Sequence, residues 1–202
     1  MIYSGIKRTV FGIGFNTGDI YPASVKGKHT KCYDMWHDMM KRCYSEKYQK
    51  GHKYGENYVG CTVCEEWHNF QVFAKWYYEN YYEVENERMC LDKDIVCRGN
   101  KIYCPQHCRI VPNMINCVIN NCKNARNGLP VGIHKQDTYY IVQCSAFGKQ
   151  HYLGCFNSKQ EAFRCYKQHK ESVIKQTANK YKEYIPQDIY TALLNWEVNI
   201  TD

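Results

Sequence analysis

Four cysteines have the type and spacing of zinc ligands. They are Cys61, Cys64, Cys104 and Cys108, which form a CxxC pair and a CxxxC pair. Two thiolate pairs of this kind are typical of structural Zn²⁺ sites, and Cys117 with Cys122 offers an alternative second pair. The chain has 13 cysteines, however, so short spacings also arise without a metal. The sequence therefore leaves two interpretations open, a structural Zn²⁺ ion or buried free thiols.

Positive charge is concentrated between residues 123 and 182. This segment has eleven Lys and Arg against three acids, a net charge of +8, whereas the whole chain has +7. Residues 65–94 have the opposite balance, with eight acids against three bases and a net charge of −5. The basic segment predicts a polyanionic partner such as DNA. The acidic segment would either face away from DNA or place carboxylates near a divalent metal.

Polar and apolar residues alternate in the basic segment, which predicts a small sheet with one exposed face. Such a sheet can enter the major groove of DNA and contact base edges. The residues expected on this face are His134, Gln136, Gln143, Ser145, Gln150 and Tyr152, with Lys135 and Lys149 at its rim. The alternative is a sheet and helix that bind another protein, with the lysines merely solvated.

Several helices and strands are expected to position these residues. Gly132, Asp137 and Gly148 separate three short strands, and Ser158 with Glu161 has the pattern of a capping box at the start of a long helix. Two amphipathic helices are expected earlier in the chain. Their apolar stripes are Tyr33, Trp36, Met40 and Cys43 in the first helix, and Trp67, Phe70, Phe73 and Trp76 in the second helix, whose first turn would contain Glu65 and Glu66.

The motifs "VGI", "YYIVQCSA", "YLGCF" and "SKQEAFRCY" resemble the DNA-binding domain of plant ethylene-response factors, the Apetala family, which also occurs in phage and homing-endonuclease proteins. The resemblance implies that the exposed sheet residues contact bases and phosphates. The family mostly uses Arg and Trp at these positions, whereas this chain has Gln, Ser and His. The G-rich target preference of the family therefore does not carry over, and Gln would favour adenine edges.

Residues 89–126 are similar to the His-metal finger of H-N-H nucleases, which consists of two strands and a helix. Besides Asp94, which is a further candidate ligand, the similarity places four residues at the site, namely Asp92, Lys93, His107 and Asn116. It implies that Asp92 and Asn116 hold Mg²⁺ for phosphodiester hydrolysis. Lys93 stands where the family has its general-base His, and a protonated lysine cannot accept a proton, so His107 is an alternative base. The other interpretation is a degenerate finger that serves as a DNA-docking scaffold or as pure structure.

Together with "YDMWHDMMKRCY", "CEEWHNF" and "LDKDI", these motifs resemble phage proteins that join an H-N-H endonuclease finger to an ethylene-response-factor-type domain. The expected fold is α+β. A finger region with supporting helices would span residues 1–122, a linker 123–130, and a three-stranded antiparallel sheet packed on a long helix 131–202. The implied function is binding of double-stranded DNA, with cleavage as in a homing endonuclease. The alternatives are a catalytically inactive DNA-binding regulator and a phage factor that acts on a host protein.

The composition favours a reducing compartment, because the number of cysteines is odd and their spacing is irregular. The N-terminal sequence has no signal-peptide pattern, since Lys, Arg and Gly interrupt its apolar residues. We therefore expect a protein of the host cytoplasm. No apolar run is long enough to span a bilayer, so no membrane role is expected. A small-molecule cofactor is not expected either.

Overall fold

The computed structural model describes residues 7–120 and 128–201. The chain divides into two compact units, Met1–Pro112 and Asn113–Asp202. The fold is mixed α/β and contains the expected three-stranded antiparallel sheet and long helix. Most of the predicted linker, and Cys122 with it, lies outside the described residues. In the part of the chain that is described, no helix has the length and apolarity needed to cross a membrane.

The first unit combines three helices with short strand pairs. Its elements are β1 (Ser24–Val25), β2 (Lys28–His29), α1 (Lys31–Tyr44), α2 (Glu46–Gly51), β3 (Thr62–Val63), α3 (Phe70–Asn80), β4 (Met89–Asp92), β5 (Ile102–Tyr103) and β6 (Arg109–Pro112). β1 and β2 form an antiparallel pair, β3 and β5 a parallel pair, and β4 and β6 an antiparallel pair. An aromatic core that includes Trp36, Trp67 and Phe70 lies between α1 and α3.

The second predicted helix is shorter than expected. Glu65 and Glu66 lie in a separate 3-10 turn, Glu65–His68, and α3 begins only at Phe70. The reason is Asn69, whose side chain accepts a hydrogen bond from the backbone N–H of Gln71 at 3.1 Å and so caps a new helix. The two glutamates therefore do not stand in the first turn of α3, as the sequence had indicated.

The second unit is a sheet packed on a long helix. Its elements are α4 (Asn113–Ile119), β7 (Ile133–Gln136), β8 (Tyr139–Ala146), β9 (Lys149–Phe156), α5 (Lys159–Tyr181) and α6 (Gln187–Leu194). The strands are antiparallel in the order β7-β8-β9. The N-cap half of the expected capping box is confirmed, because Ser158 Oγ accepts from the Glu161 N–H at 3.2 Å. The Glu161 carboxylate accepts a hydrogen bond from the Ser158 hydroxyl at 2.9 Å. Ala162, Tyr166 and Val173 bury one side of α5.

Gly132 allows the sheet to close on this helix. Its φ is +73°, a left-handed conformation that favours glycine, and its carbonyl accepts a hydrogen bond from the Gln143 N–H at 2.8 Å. A Cβ at this position would collide with the Tyr166 ring and with the backbone carbonyl of Gln143. A residue larger than glycine would therefore separate the start of β7 from both β8 and α5.

Candidate nucleic-acid interface

The six polar residues expected on one face of the sheet do share a face. Side chains alternate along a strand, and Val142, Cys144 and Ala146 of β8 are buried on the side of α5. Strand pairing then assigns nine residues to the opposite side, which we name the outer face. They are His134, Gln136, Tyr139, Ile141, Gln143, Ser145, Gln150, Tyr152 and Cys155. All nine are exposed or half-buried, so the face is open to a partner.

Three members of the outer face were not predicted from the sequence. Tyr139 and Ile141 precede Gln143 by four and two residues, so extending the alternation of β8 would have found them. Cys155 is different, because a β-bulge between Val142 and Gln143 shifts the register and brings Cys155 opposite Ile141. Strict alternation in β9 would have placed Cys155 on the helix side. A bulge of this kind has no clear signal in the sequence.

Charge is confined to the margins of the outer face. None of its nine residues is Lys, Arg, Asp or Glu. Lys135 pairs with Tyr140 and Lys149 pairs with Ala146, which places both lysines in the helix-side rows, yet both are exposed. The arrangement is chemically suited to hydrogen bonding by the uncharged centre and to phosphate contacts by the margins.

The outer face also contains a hydrogen bond between two amides. Gln143 lies on β8 and Gln150 on β9, and Gln150 Nε2 donates to Gln143 Oε1 at 2.7 Å. The backbone of Gln143 is held on its other side by Gly132, as described above. The two amides therefore form one prepositioned group on an otherwise open surface.

Asp92, at the end of β4, has a buried carboxylate that is hydrogen-bonded to the backbone of the following turn. It is only 6% exposed, and its Oδ1 accepts hydrogen bonds from the N–H groups of Asp94 at 2.8 Å and Ile95 at 2.6 Å. Burial raises the pKa of Asp92 above its ordinary value, although the two backbone hydrogen bonds oppose the shift. One oxygen of the carboxylate is thus committed to the turn that follows the strand.

Lys93 closes the loop between β4 and β5. The side chain is buried, and Nζ donates to Asp94 Oδ2 at 2.5 Å and to the Asn100 carbonyl at 2.6 Å. Asn100 Nδ2 donates back to the Lys93 carbonyl at 3.0 Å and to the Ile102 carbonyl at 2.7 Å. Sequence reasoning missed Asn100, for which the only signal was its place after Gly99, as in a turn. We name Asp92, Lys93, Asp94 and Asn100 the loop cluster.

The remaining predicted catalytic residues have other partners. His107 is half-buried, and its Nδ1 lies 3.5 Å from the Cys104 sulfur. Asn116 belongs to the second unit, where its Oδ1 accepts a hydrogen bond from Asn120 Nδ2 at 2.9 Å. Within the first unit, the structure therefore brings Asp92, Lys93 and Asp94 together, and it places His107 beside Cys104.

Comparison with known proteins gave no match. No family model, curated protein or solved structure is similar to this chain. Both resemblances seen in the sequence therefore stay predictions. The chemistry of the outer face and of the loop cluster must be inferred from their own geometry.

The cysteines expected to bind zinc are divided between two surroundings. Cys61 interacts electrostatically with Lys93 and Cys43. Cys64, Cys104 and Cys108 interact with one another instead. Burial raises the pKa of Cys64 to about 12, which favours the neutral thiol. Within residues 7–120 and 128–201, no group of three or more His, Cys, Asp or Glu is arranged to hold a metal ion. The zinc site and the alternative of free thiols both stay predictions.

Proposed function

We propose that the protein binds double-stranded DNA through the outer face of its three-stranded sheet. The observation that carries the proposal is the gathering of His134, Gln136, Gln143, Ser145, Gln150 and Tyr152 on one open side of β7-β8-β9. These side chains have hydrogen-bond donors and acceptors that match base edges, and none of them is Lys, Arg, Asp or Glu.

The charge of the surrounding segment supports the same proposal. Residues 123–182 have a net charge of +8, and Lys135 and Lys149 stand exposed at the margins of the sheet. Lysines at the margins would contact phosphates and set the orientation, while the outer face would contact the bases. A sheet that entered the major groove in this way would bind with an affinity that depends strongly on salt.

The test is fluorescence anisotropy of a labelled duplex titrated with the full chain over a series of salt concentrations. If about five phosphates are contacted, log K should fall against log salt with a slope of about −4.5. Lys149→Ala should weaken binding and reduce the slope by about 0.9. Lys175→Ala is the control with the same loss of charge, because Lys175 is an exposed residue of α5 rather than of the sheet.

The outcomes distinguish three possibilities for the partner and its binding surface. A flat salt response would reject DNA binding and favour an acidic protein partner for the basic segment. A steep slope that both lysine variants reduce equally would support DNA binding but move the contact away from the sheet. A steep slope that only Lys149→Ala reduces would support the proposal as stated.

DNA cleavage is the second candidate function, and the order of elements favours it. β4 pairs with β6, α4 follows at once, and Asp92 ends the first strand, which is the order implied by the H-N-H resemblance. The donor set agrees less well with Mg²⁺, because Asp92 Oδ1 is bonded to two N–H groups and Asp94 is bonded to the Lys93 ammonium. We therefore derive no hydrolytic step from these residues.

Incubation of supercoiled plasmid with the full chain and Mg²⁺ tests this second candidate. A nuclease would convert the plasmid to nicked or linear DNA, and Asn116→Ala and His107→Ala would slow the conversion. Asn195→Ala serves as the control, since Asn195 is an exposed asparagine at the end of α6. An intact plasmid, in a preparation that binds DNA with the expected salt slope, would leave binding as the activity.

A further inference from the structure

The pair formed by Gln143 and Gln150 has a hydrogen-bonding pattern that favours one base. One N–H of Gln150 is used by the Oε1 of Gln143. This leaves the amide nitrogen of Gln143 and the carbonyl of Gln150 uncommitted, together with the second N–H of Gln150. If both amides are turned by 180°, the uncommitted nitrogen and carbonyl exchange residues, so the pair offers both groups in either orientation.

Adenine is the base whose major-groove edge matches this pattern. Adenine presents an N7 acceptor beside an N6 donor, whereas guanine presents two acceptors, N7 and O6. Against guanine, the free carbonyl of the pair would face O6 without a hydrogen between them. We propose that the Gln143–Gln150 pair recognises the adenine of an A·T base pair in the major groove, an inference that rests on the proposed DNA binding.

Two further observations support a specific role for this pair. First, the backbone of Gln143 is held in place, because its N–H is hydrogen-bonded to the Gly132 carbonyl. The β-bulge also lies directly before Gln143. Bulges commonly redirect a side chain at a functional site. Moreover, the outer face has no Arg or Lys, the residues that most often contact guanine through N7 and O6.

Selection of bound duplexes from a random-sequence library by the full chain tests the inference. We expect enrichment of A·T at one position of the bound sites. In a binding assay on the selected site, A·T to G·C substitution at that position should weaken binding by about tenfold, the range expected for loss of a bidentate base contact. Gln143→Ala and Gln150→Ala should each remove this preference, and Gln160→Ala, on exposed α5 surface, should keep it.

A modified base makes the test sharper. In 7-deazaadenine the N7 acceptor is replaced by carbon, so the wild-type chain should lose affinity when this base occupies the selected position. In the variant that lacks the glutamine donating to N7, the modified base should cause no loss relative to adenine, because the N7 contact is already absent. Gln143→Ala is this variant in the orientation described, and Gln150→Ala is this variant if both amides are turned. Circular dichroism of each variant verifies that the sheet is intact.

The possible results distinguish this inference from the proposed function. Salt-dependent binding without an A·T preference, or with a preference unchanged in Gln143→Ala and Gln150→Ala, overturns the adenine assignment and leaves DNA binding in place. Absence of salt-dependent binding overturns DNA binding, and the adenine assignment with it. An A·T preference that both glutamine variants remove supports both.

Discussion

The loop cluster and the outer face both consist largely of polar side chains, but the surroundings of these side chains differ. In the loop cluster, Lys93 and Asp92 are almost completely buried and bonded within the loop. On the outer face, the polar groups are open to solvent, and the one amide pair retains free donors and acceptors. Burial and internal hydrogen bonding therefore distinguish a polar residue that stabilises the fold from one that is available to a ligand. Residue type alone does not separate them.

The largest effect is expected behind the outer face, at Gly132. Gly132→Ala should lower the free energy of unfolding by about 4 kcal/mol, because the added Cβ collides with Tyr166 and the Gln143 carbonyl at a left-handed φ. Denaturation in urea, followed by circular dichroism, measures the change. Gly148→Ala is the matched control, since its φ is +77° but its Cβ would meet no atom within 4 Å, and about 1 kcal/mol is expected. Equal losses in the two variants would contradict this role of Gly132.

The next largest effect tests whether Lys93 is structural. Lys93→Ala should lower the free energy of unfolding by about 3 kcal/mol, because it leaves the Asp94 carboxylate and the Asn100 carbonyl without their buried partner. Lys101→Ala is the control and should cost less than about 0.5 kcal/mol, since Lys101 is exposed. If Lys93→Ala kept its stability and lost a plasmid-cleaving activity of the wild type, the division between the two regions would fail.

A smaller effect of opposite sign is expected at Asp92. Asp92→Asn should raise the free energy of unfolding by roughly 1 kcal/mol at pH 8, because it removes a buried charge and keeps the oxygen that accepts two N–H groups. Burial raises the pKa of Asp92, so the cost of its charge is complete above the folded pKa and fades as the pH falls towards the ordinary value near 4.

The advantage of the Asp92→Asn variant should therefore be largest at pH 8 and shrink in acid. Urea midpoints of the two proteins between pH 8 and pH 5 measure it. Asp19→Asn, at an exposed site of the same unit, controls for the change in net charge. Destabilisation by Asp92→Asn at pH 8 would mean that the ionised carboxylate stabilises the loop, contrary to this account.

Local patterns in the sequence were sufficient to predict much of the second unit. The capping box at Ser158 and the alternation of Gln143 with Ser145 depend on residues a few positions apart, so they could be recognised directly. The burial of Lys93 could not be predicted in this way, because it depends on Asn100, seven residues away, and on the packing of the Tyr103 ring beneath the ammonium group. The same holds for the β-bulge that places Cys155 on the outer face, since a bulge is set by two strands jointly.

The smallest effects on stability are expected on the outer face itself. Gln136→Ala, Gln143→Ala, Ser145→Ala and Gln150→Ala should each change the free energy of unfolding by no more than about 0.5 kcal/mol, because these side chains support little of the fold. The double variant of Gln143 and Gln150 should cost no more than the sum of the two single variants, since each of them already loses the shared hydrogen bond. Urea midpoints and DNA anisotropy measured on the same preparations would give both quantities. Weaker DNA binding of these variants at unchanged stability would show that the outer face binds the ligand and does not stabilise the fold. A loss of stability comparable to that of Lys93→Ala would instead show that these amides, like the loop cluster, hold the structure together.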